Sequence, residues 1–439
     1  MRFAIYTLGC KVNQYESQAM EAILTARGHE LVPFGEEAEL YLVNTCSVTA
    51  VSDKKCRGII RRARREHPKA VLGVCGCYSQ HAPESMAELG VDLFSGTGDR
   101  KGFLDRAERC ALERQEDRPS EGQVDDALRR ADPFEVLPAG GLSGRTRAML
   151  KVEDGCQNFC TYCIIPFTRG PVRSASLEVA VTQTKELAAQ GYRELVLTGI
   201  EISSWGRDLK NGQTLIDLVE AVCAAAPELR VRLGSLEPRT ITEDFCARAA
   251  KLLNLCPHFH LSLQSGCDAT LERMHRRYDT KRFLESCALL RRHFDRPAIT
   301  TDLICGFPGE TEEEFARTLA FLEEAQFSAM HIFPYSRRPG TKADDMPGQV
   351  PKAVKEERCH RAAAVAERME RDYLARFVGE TLEVLFEETT EGVPCGAGQW
   401  RGHAPNYVQV SAPGTDLHNV LKTVHITGVD GSGLTGELV

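Results

Sequence analysis

The sequence predicts an α/β protein in three parts: an N-terminal parallel α/β sheet domain, a partial (β/α)6 barrel and a small C-terminal antiparallel β-barrel. Three observations predict it. Short apolar runs alternate with helix-length segments over residues 1–105 and again over 146–376, the pattern of parallel strands joined by crossover helices. The stretch 106–145 between them is polar and charged, with Pro, Gly and Ser, and reads as a linker. From residue 377 to 439 helical periodicity stops, and short β segments separated by Gly and Pro point to a closed barrel of the oligonucleotide-binding type.

In the first part, strands are expected at 3–8, 40–43 and 70–74, with helices at 15–27 and 52–66. In the second, strands are expected at 148–152, 194–197, 230–233, 258–263, 299–304 and 329–333. Helices fall between them, among others at 177–190, 214–226 and 312–325. A full eight-unit barrel needs more strands than these, so the sheet is expected to curl only part of the way round. In the third part, β segments are expected at 381–386, 407–410 and 420–427.

A chain of 439 residues exceeds one ordinary core. The composition, 42% hydrophobic and 26% charged, is that of a soluble globular protein. No run of 18 apolar residues suggests a membrane span, and the start of the chain reads as a strand, not a signal peptide. Seventeen cysteines without an export signal argue for a reducing, cytoplasmic setting and for metal or catalytic use. The net charge of −8 does not announce a nucleic-acid partner. The basic runs at 61–65, 129–130, 276–277, 291–292 and 337–338 each read as a solvated face.

The cysteines carry the chemistry. Cys156, Cys160 and Cys163 form a C-x3-C-x2-C run with no fourth cysteine close by. Zinc sites usually complete four ligands from paired C-x2-C halves, which this run lacks. Three thiolates on a four-iron cluster leave one iron open to a substrate or cofactor. A second set follows from placement. Cys10, Cys46, and Cys75 or Cys77 each come just after one of the first three expected strands. The carboxyl ends of parallel strands form one rim, where ligands bind, so three loops there can bring three cysteines together. Gly9 and Gly76 would let the backbone approach closely. In the barrel, the turns after later strands hold Gly199, Glu237 and Gln264 on the corresponding rim.

Taken together, Gly9-Cys10-Lys11-Val12-Asn13-Gln14, Asn44-Thr45-Cys46, Gly76-Cys77-Tyr78-Ser79-Gln80, the Cys156–Cys163 run, Leu263-Gln264-Ser265-Gly266 and Gly306-Phe307-Pro308-Gly309-Glu310-Thr311 resemble the radical S-adenosylmethionine (SAM) methylthiotransferases. The resemblance spans nearly the whole chain. The residues around Cys10 and the stretch 333–341 resemble the branch acting on N6-threonylcarbamoyladenosine in tRNA.

The resemblance implies an enzyme that replaces the C2 hydrogen of adenosine 37, in the anticodon stem-loop, with a methylthio group. It implies two [4Fe-4S] clusters, one on Cys156, Cys160 and Cys163 and one on Cys10, Cys46 and Cys77, with Cys77 favoured over Cys75. It implies SAM as methyl donor and radical source, with Gly199, Glu237 and Gln264 as candidate contacts. A one-electron reductant of the flavodoxin or ferredoxin kind and a sulfur donor are implied as partners, and the C-terminal barrel is implied to be a TRAM domain. A C2–H bond is not acidic and has no leaving group beside it, which makes a radical route the plausible one. Aromatic and basic residues read single-stranded RNA, so Trp400, Arg401, His403 and Tyr407 are the candidates in the C-terminal barrel. Two other readings stand beside this one: the isopentenyladenosine branch of the same family, and a non-catalytic iron–sulfur protein that binds tRNA.

Overall fold

The computed structural model describes residues 1–113, 121–140, 146–392 and 395–439. The first sheet contains β1 (Arg2–Thr7), β2 (Glu30–Leu31), β3 (Leu40–Thr45), β4 (Val71–Gly76), β5 (Leu93–Ser95) and β6 (Glu121–Gln123). All its pairings are parallel, in the order β2-β1-β3-β4-β5-β6. β3 and β4 are buried at every position, as continuous apolar runs in a two-faced parallel sheet should be. Helix Ala50–Glu66 covers one face through Cys56, Ile60 and Ala63. Helices Lys11–Ala26 and Arg100–Glu113 cover the other through Met20, Leu24, Phe103 and Leu104.

The stretch 106–145 is not a bare linker. Helix Arg100–Glu113 runs into it, and β6 joins the sheet edge by pairing with β5. An edge strand held by its backbone needs no apolar pattern, which is why polar residues there concealed it.

The second part contains β7 (Arg147–Lys151), β8 (Glu153–Asp154), β9 (Arg173–Ser174), β10 (Glu194–Thr198), β11 (Arg230–Leu233), β12 (Ser235–Leu236), β13 (His258–Gln264), β14 (Ala298–Cys305) and β15 (Ala329–Pro334). β8 and β9 pair with each other. The others form two parallel sheets, β11-β10-β7 and β12-β13-β14-β15. Gly234 alone separates β11 from β12, so one strand path serves both sheets and six positions follow one another round a half-barrel. Alternation along the strands sorts the faces. Leu150, Leu195, Leu197, Val231, Leu233, Phe259 and Leu261 pack outward with the helices. Arg147, Met149, Val196, Arg232 and His258 line a cleft on the inner side.

The third part is a closed barrel of β16 (Thr381–Thr389), β17 (Ala397–His403), β18 (Gln409–Thr415), β19 (Val420–Asp430) and β20 (Gly433–Leu438), in the order β16-β17-β18-β20-β19. Its pairings are antiparallel except β18–β20. Val384, Phe386, Trp400, Val410, Val424 and Ile426 fill it, joined by Tyr373, Leu374 and Phe377 at the end of the long helix Lys352–Ala375. Arg230 anchors the barrel to the half-barrel by donating to Glu383 Oε1 (2.8 Å) and His403 O (3.2 Å). Arg147 pairs with Glu387 (2.8 Å) and Arg232 donates to Pro405 O (2.9 Å).

Candidate active site

The first cysteine set sits where strands of the N-terminal sheet end. Cys10 follows β1 and precedes helix Lys11–Ala26, Cys46 follows β3, and Cys77 opens the short helix Cys77–His81 after β4. Gly9 lies at φ +114°, and a Cβ there would meet Cys46 Cβ at 2.7 Å, so only glycine lets these loops touch. Asn13 ties them by donating to Leu8 O and Thr45 O, both at 2.8 Å. Thr45 Oγ1 donates to Cys75 O (2.6 Å) and accepts from Tyr78 N (3.2 Å), fixing the third loop to the second. Burial pushes the Cys77 thiol up to about 11, against the pull of Arg169, with Cys10 and Cys46 close enough to act on it. Cys75 takes a different place. It points into the apolar layer with Phe103 and Leu104 and is fully buried there. Cys56, not singled out in the sequence, donates its thiol hydrogen to Cys46 O (3.3 Å) and backs that loop.

The second set follows β7. Cys156 N donates to Gly170 O (3.0 Å) and Cys163 N to Cys160 O (2.9 Å), which curls the run so that its thiols influence one another. Arg276 donates Nη1–H to Cys160 Sγ (3.1 Å), and its Nε donates to Tyr278 Oη (3.0 Å). Tyr278 in turn donates to the carbonyls of Ser262 and Leu263 at the end of β13. The Arg276-Arg277 run is therefore not simply a solvated face. One of its arginines serves the cysteine loop.

A buried charge network joins the two sets. Arg169 ends the short helix Ile165–Arg169 after Cys163 and is fully buried. It donates to Asn13 Oδ1 (2.8 Å), Glu16 Oε1 (2.9 Å) and Asp154 Oδ1 (3.0 Å). Lys151 pairs with Glu16 (2.9 Å) and Asp154 (2.7 Å), and Arg100 pairs with Glu16 (2.9 Å). The short helix Cys77–His81 packs on Ile165–Arg169, and Asn13 Oδ1, which accepts from Arg169, also accepts from Cys10 Sγ (3.7 Å), so the two rims face each other. A strap from the half-barrel adds a second tie. Arg338, 2% exposed, donates to Asp53 Oδ2 and to Ser47 Oγ, both at 2.6 Å, beside Cys46.

The donor sets suit iron–sulfur clusters. Each offers three free thiols, the usual cluster ligands. Arg169 Nε is buried without a partner beside the first set, a donor ready for a sulfur acceptor.

Comparison with known proteins decides the family. Residues 2–96 match the uncharacterized protein family UPF0004, and residues 150–322 match the radical SAM superfamily. The threonylcarbamoyladenosine tRNA methylthiotransferase MtaB of Bacillus subtilis is 39% identical over 94% of this chain and 90% of its own length. MtaB of Chlamydia pneumoniae is 34% identical over 100% of this chain and 98% of its own. The tRNA-2-methylthio-N(6)-dimethylallyladenosine synthase of Moorella thermoacetica is 35% identical over 100% and 98%. The chain belongs to the radical SAM methylthiotransferase family, in its MtaB type. Membership makes it an enzyme that transfers sulfur and methyl groups with SAM and [4Fe-4S] clusters. Its fold resembles that of TsrM from Kitasatospora setae, a radical SAM methyltransferase solved with cobalamin and a [4Fe-4S] cluster. The TM-score is 0.56 at 17% identity, over 78% of this chain and 77% of that one.

In this methylthiotransferase the expected SAM contacts lie at strand ends of the half-barrel. Gly199 follows β10, and a Cβ on it would meet Glu153 Oε2 at 2.7 Å. Glu153 is fully buried, its carboxyl held well above the usual range by burial, and its Oε1 has no partner. Gln264 ends β13 at φ +70°, where the register with β14 shifts. Glu237 is buried and already forked with Arg239 (2.7 and 2.9 Å).

The expected RNA contacts divide. Trp400 is corrected: its ring fills the barrel core, with Nε1 donating to Gly396 O (3.1 Å), and presents no face to RNA. Alternation along β17 turns Trp400 inward and its neighbours Arg401 and His403 outward. Arg401 is half-buried. His403 Nδ1 binds Glu387 Oε1 (2.7 Å), and its ring stacks on Tyr407 with centroids 4.7 Å apart. Tyr407 is not in a strand, as expected from the sequence, but in a turn at φ +66°, facing the half-barrel.

Proposed function

We propose that this enzyme replaces the C2 hydrogen of N6-threonylcarbamoyladenosine at position 37 of tRNA with a methylthio group. The observation that carries the reading is the pair of three-thiol rims turned toward each other across the Asn13–Glu16–Arg169 network. Its relatives named for this nucleoside, at 34–39% identity, support the substrate.

In this reading Cys156, Cys160 and Cys163 hold the SAM-binding cluster, and Cys10, Cys46 and Cys77 hold the cluster that presents sulfur. When bound, cluster and SAM supply a one-electron cleavage strong enough to remove an unactivated C–H hydrogen. The chain's own residues hold that chemistry in place. Arg276 stabilises the Cys160 thiolate by a charge-assisted hydrogen bond. Arg169 does the same by charge for Cys77. Asn13 and Arg338 fix the loops that carry Cys10 and Cys46. Gly199, Glu237 and Gln264 bind SAM, and Arg401 with the outer face of the C-terminal barrel meets the anticodon stem-loop. A flavodoxin- or ferredoxin-like reductant and a sulfur donor complete a cytoplasmic enzyme. Among the described residues no helix is long and apolar enough to cross a membrane.

Mass analysis of tRNA nucleosides from cells lacking the gene tests the reading. The 2-methylthio form of threonylcarbamoyladenosine should disappear and return with the wild-type gene but not with Cys160→Ala. Loss of the 2-methylthio isopentenyl nucleoside instead would assign the chain to the other branch, to which relatives at 32–35% identity belong.

A further inference from the structure

Between the three parts of the molecule lies a cleft of about 420 Å³, walled by Lys11, Arg147, Arg232, His258, Glu387 and Tyr407. That volume suits an amino-acid-sized group. Lys11 adjoins Cys10, so the cleft begins one residue from the rim where C2 would react. C2 and the N6-bearing carbon belong to the same six-membered ring of the base. A substituent on N6 therefore projects about one ring-width beyond the reacting carbon, and Lys11 is where the first rim continues into the cleft.

The polar groups of the cleft are not equally satisfied. Arg232 is forked onto Glu194 (2.7 and 2.9 Å), and Arg147 is paired with Glu387 (2.8 Å). Glu388 lies at the exposed edge, where solvent screens it. Lys11 has neither a hydrogen bond nor an ion pair among the described residues. His258 is 6% exposed, with Nε2 against Thr300 Oγ1 (3.2 Å) and Nδ1 without a partner. Buried polar atoms are ordinarily satisfied, so the orphaned His258 Nδ1, with the exposed and unpaired Lys11 ammonium at the same cleft, calls for a ligand with an anionic, hydrogen-bonding end. Tyr407 supplies a flat wall, 40% exposed, braced by Arg232 (4.6 Å) and His258 (5.0 Å).

We propose that this cleft is the specificity pocket for the N6 substituent, seating its carboxylate on Lys11 and His258 Nδ1. The inference rests on the threonylcarbamoyl reading of the substrate. A neutral isopentenyl group would leave both residues unsatisfied, which disfavours it.

The test is equilibrium binding by the full-length, cluster-loaded protein, followed by fluorescence anisotropy. The probes are anticodon stem-loops carrying threonylcarbamoyladenosine or its methyl ester, which keeps the shape and removes the charge. Wild type should prefer the free carboxylate by about tenfold, the scale of one partly desolvated ion pair. Lys11→Met should lose that preference while binding the ester within about twofold of wild type, and Lys11→Arg should restore it. A Lys11→Met protein that keeps the full preference, or a wild type with none, overturns the pocket. The nucleoside analysis above is independent of this result. If it shows the isopentenyl product, the substrate reading fails first, and the two failures are distinguishable.

Discussion

At the residue scale, glycine and arginine do work that residue type alone conceals. Gly76 lies at φ +107°, with Thr45 O occupying the space a Cβ would need. Gly76→Ala should destabilise the protein by about 1–3 kcal/mol in denaturant titration and lower iron loading of the N-terminal set. Arg276 is the only side chain seen to donate to a cysteine of the C-x3-C-x2-C run among the described residues. Removing a group that supports a metal ligand commonly costs about 10–100-fold in affinity or activity. Arg276→Gln should therefore slow deoxyadenosine release by at least about tenfold, measured by chromatography of single-turnover reactions. Cys75 and Cys77 should separate cleanly. Cys77→Ala should lose the iron of one cluster, whereas Cys75→Ala, which alters only apolar packing, should keep both.

What the sequence made legible at this scale was the cysteines, because thiols at successive strand ends form a pattern. Arg169, Arg276 and Arg338 were not legible. The latter two stood inside runs that look like solvated faces, and all three act on partners far along the chain. A single arginine carries no periodic signal. Trp400 failed for a related reason, since residue type suggests stacking on RNA but only strand register tells inside from outside.

At the scale of elements, the half-barrel strands were readable because each apolar run in a covered parallel sheet is bounded by turns. β2, β5 and β6, each of two or three residues, and two of the five C-terminal strands were not, being short, polar or Gly-rich. The docking of the C-terminal barrel depends on carboxylates whose folded pKa values are depressed. Burial alone would raise Glu194 and Glu387, but Arg232 holds the first below the usual range, and His403 with Arg147 holds the second. The unfolded chain titrates these groups at about 4.3. Their contribution is therefore complete above that pH and is lost as pH falls through the lower folded values. Their share of the melting temperature should stay level from neutral pH to about 5 and drop below about 4.3. Glu194→Gln should start lower and fall less steeply, as differential scanning calorimetry would show.

At the scale of the whole molecule, the proposed function gives the two rims separate work. Replacing Cys10, Cys46 or Cys77 with Ala should abolish methylthiolated tRNA while leaving SAM cleavage measurable. Replacing Cys156, Cys160 or Cys163 should abolish both. Arg338→Ala should resemble the first group, because the strap it anchors ends beside Cys46 and not at the C-x3-C-x2-C run.

The buried network around Glu16 also bears on how the chain is made. Glu16 is paired with Arg100, 84 residues later, and with Arg169, 153 residues later. At about 5–20 residues per second, a ribosome delivers Arg169 roughly 8–30 s after Glu16. During that interval the emerging N-terminal sheet carries Glu16 with only part of its counter-charge, and a gene cut between the two parts would leave it so permanently. The first domain is thus expected to mature only as the second is translated, which favours one uninterrupted reading frame for the pair.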